Sequence, residues 1–242
     1  MSSAAIRNKR HDFRDREARG KAELGWLSSR HSFSFGNYHD PNHIGFRSLR
    51  VINEDRVIPG AGFPTHSHSD MEIISYVLEG ALEHKDSLGT GAVIRPSEIQ
   101  RMSAGTGVSH SEYNASKIEP VHFLQIWIVP DQKGIAPSYE QIELPVVQQG
   151  ESRLDVIGSF DGKNGGITIH QDVQLYRAII AKGGAISVPI GTGRYAWVQI
   201  VRGIAEFDGQ VTREGDGLAV TEAGLIELTS ITGAEVLIFD LA

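Results

Sequence analysis

Nine residues, Tyr76-Val-Leu-Glu-Gly-Ala-Leu-Glu-His84, return in shape as Gln199-Ile-Val-Arg-Gly-Ile-Ala-Glu-Phe207. Each copy reads as a strand, a glycine turn and a second strand, with Gly80 and Gly203 in the same place. The later run Phe123-Leu-Gln-Ile-Trp-Ile-Val129 has a counterpart in Glu235-Val-Leu-Ile-Phe-Asp-Leu241. Self-similarity of this length means one folding unit used twice. The unit reads as β: Ile73–Leu78, His122–Val129, Trp197–Val201 and Val236–Leu241 are short apolar runs, with Gly, Asp and Asn between them. No sustained helical period competes with this, although Pro137–Leu144 is compatible with one helical turn. The expectation is an all-β chain of two barrels. Residues 1–131 form the first, 132–150 a connector marked by Pro137, Pro145, Gly134 and Gly150, and 151–242 the second.

Charge and cysteine usage exclude several functions. Lys and Arg number 23 against 30 Asp and Glu, a net charge of −7, which argues against nucleic acid or an anionic membrane as partner. Basic residues gather near the start (Arg7, Lys9, Arg10, Arg14, Arg16, Arg19), but Asp12, Asp15 and Glu17 are interleaved, which reads as a solvated face. With no cysteine, disulfides and thiolate chemistry are excluded. No apolar stretch is long enough for a bilayer, and the first residues lack the apolar core of a signal peptide, so the expected location is the cytoplasm.

The chemistry concentrates in two segments. Gly60-Ala-Gly-Phe-Pro-Thr-His66-Ser-His68-Ser-Asp-Met-Glu72 places two imidazoles two residues apart, on one face of a strand. Gly105-Thr-Gly-Val-Ser-His110-Ser-Glu112-Tyr-Asn114 repeats that spacing with His110 and Glu112. On facing strands, three neutral nitrogens and one carboxylate oxygen converge. Such a set suits Fe, Mn, Co, Ni, Cu or Zn, and its donor types do not choose among them. Parity along the strand also allows Glu72 as the fourth ligand.

The pattern Gly60-x5-His66-x-His68-x3-Glu72, with His110-x3-Asn114 further on, resembles the two cupin motifs. More specifically, the chain resembles the pirin family and its bacterial quercetinase-like members. This rests on Arg16-Glu-Ala-Arg-Gly20, His31-Ser-Phe-Ser-Phe35, Tyr38-His-Asp-Pro41, Leu49-Arg-Val-Ile-Asn-Glu54, Asp70-Met-Glu-Ile-Ile74 and Met102-Ser-Ala-Gly-Thr-Gly107 in the first half. His170-Gln-Asp172 and Val236-Leu-Ile-Phe-Asp-Leu241 extend it through the second. The resemblance implies a bicupin with one divalent metal, Fe(II) first among the candidates, in the N-terminal barrel. It implies Glu112 as fourth ligand and proton acceptor, with Glu72 in a supporting role. It further implies a dioxygenase that cleaves a flavonol with O2. A monomer or weak dimer is expected. A metal-dependent protein-docking module and a closed structural zinc site are the alternatives. Two departures, Ser67 for a common Pro and Pro96-Ser-Glu98 for a Pro-x-Gly spacing, remove no ligand.

The second half supplies an internal control. Aligning Gly203 on Gly80 sets Pro189 and Gly191 opposite His66 and His68, and no histidine follows His170. That barrel is expected to support the first. Among the other histidines, His31, His39 and His43 read as hydrogen-bonded structural groups. His84, followed by Asp86, reads as a candidate supporting group near the barrel mouth. Phe46, Met102 and Trp127 are apolar residues that either line a pocket or fill the core.

Overall fold

The apolar runs are strands buried on both faces, which is why they lack a polar alternation. The computed structural model describes residues 11–242. In the strand Glu72–Glu79, Ile74, Tyr76 and Leu78 join one core, while Ile73 and Val77 enter others. Val121–Ile128 divides likewise: Leu124, Ile126 and Ile128 point one way, Val121 and Phe123 the other. The core containing Ile74, Leu124 and Ile126 also holds Ile157, Leu175, Trp197, Leu237 and Phe239, so it lies between the two halves. Each such side chain, fully buried, contributes roughly 1.5–3 kcal/mol.

Among the described residues the strands form three sheets. The first barrel is made by two of them. The four-stranded sheet runs in the order Gly62–His68, Val108–Asn114, Leu82–Asp86, Gly91–Ile94. The seven-stranded sheet runs Ser138–Glu143, Glu98–Ser103, Glu72–Glu79, Val121–Ile128, Leu49–Val57, Leu27–His31, Gly20–Glu23. The second barrel belongs to a ten-stranded sheet system centred on Tyr195–Phe207 and Ala234–Leu241. Its interior is hydrocarbon: Val188, Ile190, Val198, Ile200, Phe207 and Leu228 are all buried together. Phe207 therefore stands where the first barrel carries His84. The duplicated turn is real, with Gly80 and Gly203 at φ 76° and 75°.

Three expectations change. Residues 138–143 are a strand rather than a helical turn, paired in register with Glu98–Ser103, and this sheet edge overrides a weak local preference. The connector thus closes one side of the first barrel. His11–Arg14 pairs with Gly217–Val220 of the second half, so the chain crosses to the other barrel before building its own. Finally, the early basic residues are not one solvated face. Arg14 and Arg19 are buried, with Arg19 Nη1 2.9 Å from Glu54 Oε2 and Arg14 Nη1 3.8 Å from Asp40 Oδ2. Arg7, Lys9 and Arg10 lie outside the described residues.

Candidate metal centre and its cavity

Antiparallel pairing of Val108–Asn114 with Gly62–His68 sets His110 directly opposite His66 and Val108 opposite His68. A register shift follows between His110 and Glu112, which pairs with Phe63. The strands are so close there that a Cβ on Gly62 would lie 2.3 Å from the Glu112 carbonyl oxygen and 2.5 Å from Tyr113 Cα. Glycine at 62 is what lets the bulge form. On the opposite face, Ser67 Oγ and Ser109 Oγ are 2.8 Å apart.

The pairing brings the three predicted histidines together. Their ring centroids are 4.5–5.0 Å apart, and one donor atom from each lies within 4.8 Å of the others. The Nδ1–H of His66 donates to the Pro64 carbonyl at 2.8 Å in the tautomer that leaves Nε2 as a lone-pair donor. His110 is 1% exposed and neither of its ring nitrogens has a hydrogen-bond partner, which fits an imidazole built to bind a cation. Burial, then the neighbouring imidazoles, holds the pKa of His110 down to about 3; burial and His66 hold His68 down to about 4. Both are neutral at neutral pH, as ligands must be.

Glu112 lies on the inner face beside His110, 1% exposed. Ser75 Oγ is 3.0 Å from its Oε1, and Gln125 Nε2 donates to its Oε2 at 2.6 Å. Burial pushes its carboxyl up to about 7 against the two hydrogen bonds, with the charge of Asp55 adding to the rise. Its donor oxygen falls within 4.8 Å of His84 and His110, a triangle sharing His110 with the first. His84 sits fully inside the barrel rather than at its mouth, its Nε2 3.0 Å from Asp86 Oδ2 and its ring 5.4 Å from that of His110. Tyr139, from the connector strand, covers its other side at 4.9 Å.

Glu72 goes elsewhere. Asp70, at φ 49°, turns the chain between the two sheets, so strand parity does not carry from His68 to Glu72. The Glu72 carboxylate accepts from Ser103 Oγ at 2.6 Å and lies 3.2 Å from His170 Nδ1 in the second half. A further group of Glu54, His122 and Glu214 lies between the halves, where Arg19 and Arg56 already ion-pair with Glu54.

A cavity of about 520 Å³ opens onto His66 and Glu112. Trp26, Leu27, Phe35, Phe63 and Trp127 give it an apolar wall, and Trp127 packs edge-on against His68 at 4.9 Å. Of the three apolar candidates only Trp127 lines it; Met102 is core, and Phe46 packs on Trp197. His31 also lines the cavity, its ring packed against Phe35 and Tyr38 and its Nδ1 unpartnered. His39 is exposed, and His43 holds Asp40 at 2.7 Å as expected of a structural histidine. Sequence reasoning missed Ser75, Gln125, Asn53 and Asp55. Their one signal is a polar residue interrupting an apolar run, as Ser75 does in Glu72–Glu79 and Gln125 in Val121–Ile128.

A barrel carrying converging imidazoles beside a buried carboxyl, backed by a twin with a hydrocarbon interior, defines a bicupin with a histidine-rich candidate metal centre in its first half. Residues 12–128 match the pirin family, and residues 156–241 match the quercetinase C-terminal cupin domain. The chain is 46% identical over 223 residues to a quercetin 2,3-dioxygenase of Escherichia coli K12, covering 92% of this chain and 95% of that protein. The crystal structure of E. coli YhhW superposes with TM-score 0.92 at 44% identity, over 96% of this chain and 97% of that one. Bacterial pirin YhhW in complex with nickel(II) gives 0.90 at 44% identity, over 96% and 98%. GK1651 of Geobacillus kaustophilus shares the fold at 22% identity and TM-score 0.78, over 96% and 94%. The chain belongs to the pirin family.

Proposed function

We propose that the chain is a metal-dependent dioxygenase of the quercetinase type, with His66, His68, His110 and Glu112 as ligands of one divalent ion. The observation that carries this is the convergence of three imidazoles and a buried carboxyl beside an apolar cavity large enough for a flat aromatic molecule. The nickel complex of E. coli YhhW and the name of the E. coli relative support the same reading. A bound ion supplies Lewis acidity there and, when redox-active, a path for an electron.

The chain's own residues do the rest. The apolar wall of Trp26, Phe35, Phe63 and Trp127 holds a planar flavonol and excludes water. Glu112, buried on the inner face beside His110, would accept the proton of the flavonol's enolic hydroxyl. Ser75 and Gln125 keep that carboxyl aimed into the barrel. With O2 as co-substrate, the heterocycle opens to a depside and carbon monoxide. A wide apolar cavity beside the centre favours this over a docking module or a closed structural zinc site. We assign the metal-bearing role to residues 1–131 and a supporting role to residues 151–242, joined by the connector 132–150.

The test is aerobic incubation of protein loaded in turn with Fe, Mn, Co, Ni or Cu, following flavonol absorbance and carbon monoxide. Consumption of quercetin by at least one metal form is expected. Glu112→Gln is expected to lower turnover by roughly two to four orders of magnitude, the usual worth of a positioned base. In Glu72→Gln the metal is expected to stay bound at one per chain, because its partners are Ser103 and His170. Metal lost from Glu72→Gln and retained in Glu112→Gln would transfer the fourth-ligand role to Glu72.

A further inference from the structure

The inner face of the seven-stranded sheet carries a transverse row of polar residues. His31 pairs with Asn53, Asn53 with Gln125, Gln125 with Ser75, and Ser75 with Gln100, each directly opposite the next on adjoining strands. Directly opposed residues share a face, so these five side chains cross the barrel interior in line. The middle of the row has its own task, since Gln125 and Ser75 hold Glu112. The arm toward Leu27–His31 has none. Asn53, Asp55 and His31 are 3%, 3% and 5% exposed, and all three line the cavity. Asn53 Oδ1, Asp55 Oδ1 and His31 Nδ1 are buried without a hydrogen-bond partner.

Three unmet polar atoms side by side cost stability, on the order of 1–3 kcal/mol each. Neighbouring strands are about 4.8 Å apart, so His31 stands two spacings, about 10 Å, from Gln125. That is the length of a flavonol skeleton whose other end lies at Glu112. Asn53 Oδ1 accepts, His31 Nδ1 donates or accepts according to its tautomer, and a protonated Asp55 does both, so the group matches hydroxyls on a ring. The indole N–H of Trp127, also without a partner, adds one donor on the same cavity.

We propose that Asn53, Asp55 and His31 form a hydroxyl-recognition subsite that selects polyphenolic substrates over flavonols bearing the metal-directed hydroxyl alone. The proposal rests on the flavonol reading above. Asn53 and Asp55 act on specificity and do not enter the chemistry. Burial shifts Asp55 toward its uncharged form, its carboxyl being pushed up to about 7. A neutral carboxyl both donates to and accepts from a phenol.

The experiment is an anaerobic fluorescence titration of metal-loaded protein, using quercetin and unsubstituted flavonol, which lacks the peripheral hydroxyls. Wild type is expected to bind quercetin at least roughly tenfold more tightly, the worth of one or two hydrogen bonds. Asn53→Leu, similar in volume but without an acceptor, is expected to lose that preference while flavonol affinity stays level or rises. Asp55→Leu, which removes both donor and acceptor, is the second variant, expected to lose the preference in the same way and read alone if Asn53→Leu melts early or binds less metal. Equal affinities in wild type, or variants that weaken both ligands equally, overturn the subsite and leave the dioxygenase reading standing. Failure of wild type to bind either flavonol removes both.

Discussion

Asp55 shows how a single side chain trades stability for a site. Burial lifts its carboxyl from 3.8 to about 7, with the Ser29 hydrogen bond opposing and the charge of Glu54 adding. Below pH 3.8 the folded and unfolded chains both carry the proton and nothing is lost. Between 3.8 and about 7 the unfolded chain ionises while the folded chain does not, so stability falls as pH rises through that window. Asp55→Asn removes the penalty. It is expected to raise the melting temperature above pH 7, by roughly 2–4 °C per kcal/mol recovered in a chain of this size, and to leave it unchanged below pH 3.8. Calorimetry across that range checks it, and a gain that persists in acid counts against the cause given. His66, His68 and His110 were legible from two-residue spacing. Asn53 and Asp55 were not, because nothing in a strand's sequence says which face meets a cavity until its neighbours are known.

At the scale of the element, the Gly80 turn is the piece used twice. Its φ of 76° disfavours any L side chain, and a Cβ there would lie 2.5 Å from the Pro120 carbonyl oxygen. Gly203 repeats both conditions, at 2.2 Å from the Gly233 carbonyl oxygen. Gly80→Ala is expected to cost about 1–2 kcal/mol for the left-handed backbone alone, with the clash added to it. Gly91→Ala is the control, because nothing lies within 4 Å of the added carbon. Thermal melts of the two variants should differ by several degrees; equal melts would remove the argument. The strand 138–143 was not legible, since its pairing surface belongs to residues 98–103, some forty positions earlier.

At the scale of the molecule, the halves are joined by a broad apolar core edged with buried ion pairs. Arg19, Glu54 and His122 form one such group, with His122 Nε2 3.1 Å from Glu54 Oε1. Tyr76 and Glu235 form a contact that does cross from one half to the other. Burial pushes the Glu54 carboxyl upward, yet His122 and Arg19 outweigh it and hold it well below its usual 4.5. A depressed carboxylate stabilises above its unfolded pKa and loses that contribution as pH falls. Glu54→Gln is therefore expected to melt below wild type at neutral pH, with the gap closing as pH drops beneath 4.5. A gap independent of pH, followed by calorimetry, would assign the loss to packing instead.

The all-β duplicated fold, the confinement of the paired-histidine spacing to one half and the three imidazoles were determined by the sequence itself. Alternation along a strand, a repeated turn and the absence of histidine after His170 are local or countable properties. Glu112 and Glu72 were left level by spacing, and family resemblance chose between them. Tertiary structure alone turned the chain at Asp70, carried Glu72 to Ser103 and His170, and set Ser75 and Gln125 against Glu112. It alone aligned His31, Asn53, Gln125, Ser75 and Gln100 across five strands. Register is the reason: a one-residue slip in any ladder sends a side chain to the opposite face, and register is settled by the packing of distant strands.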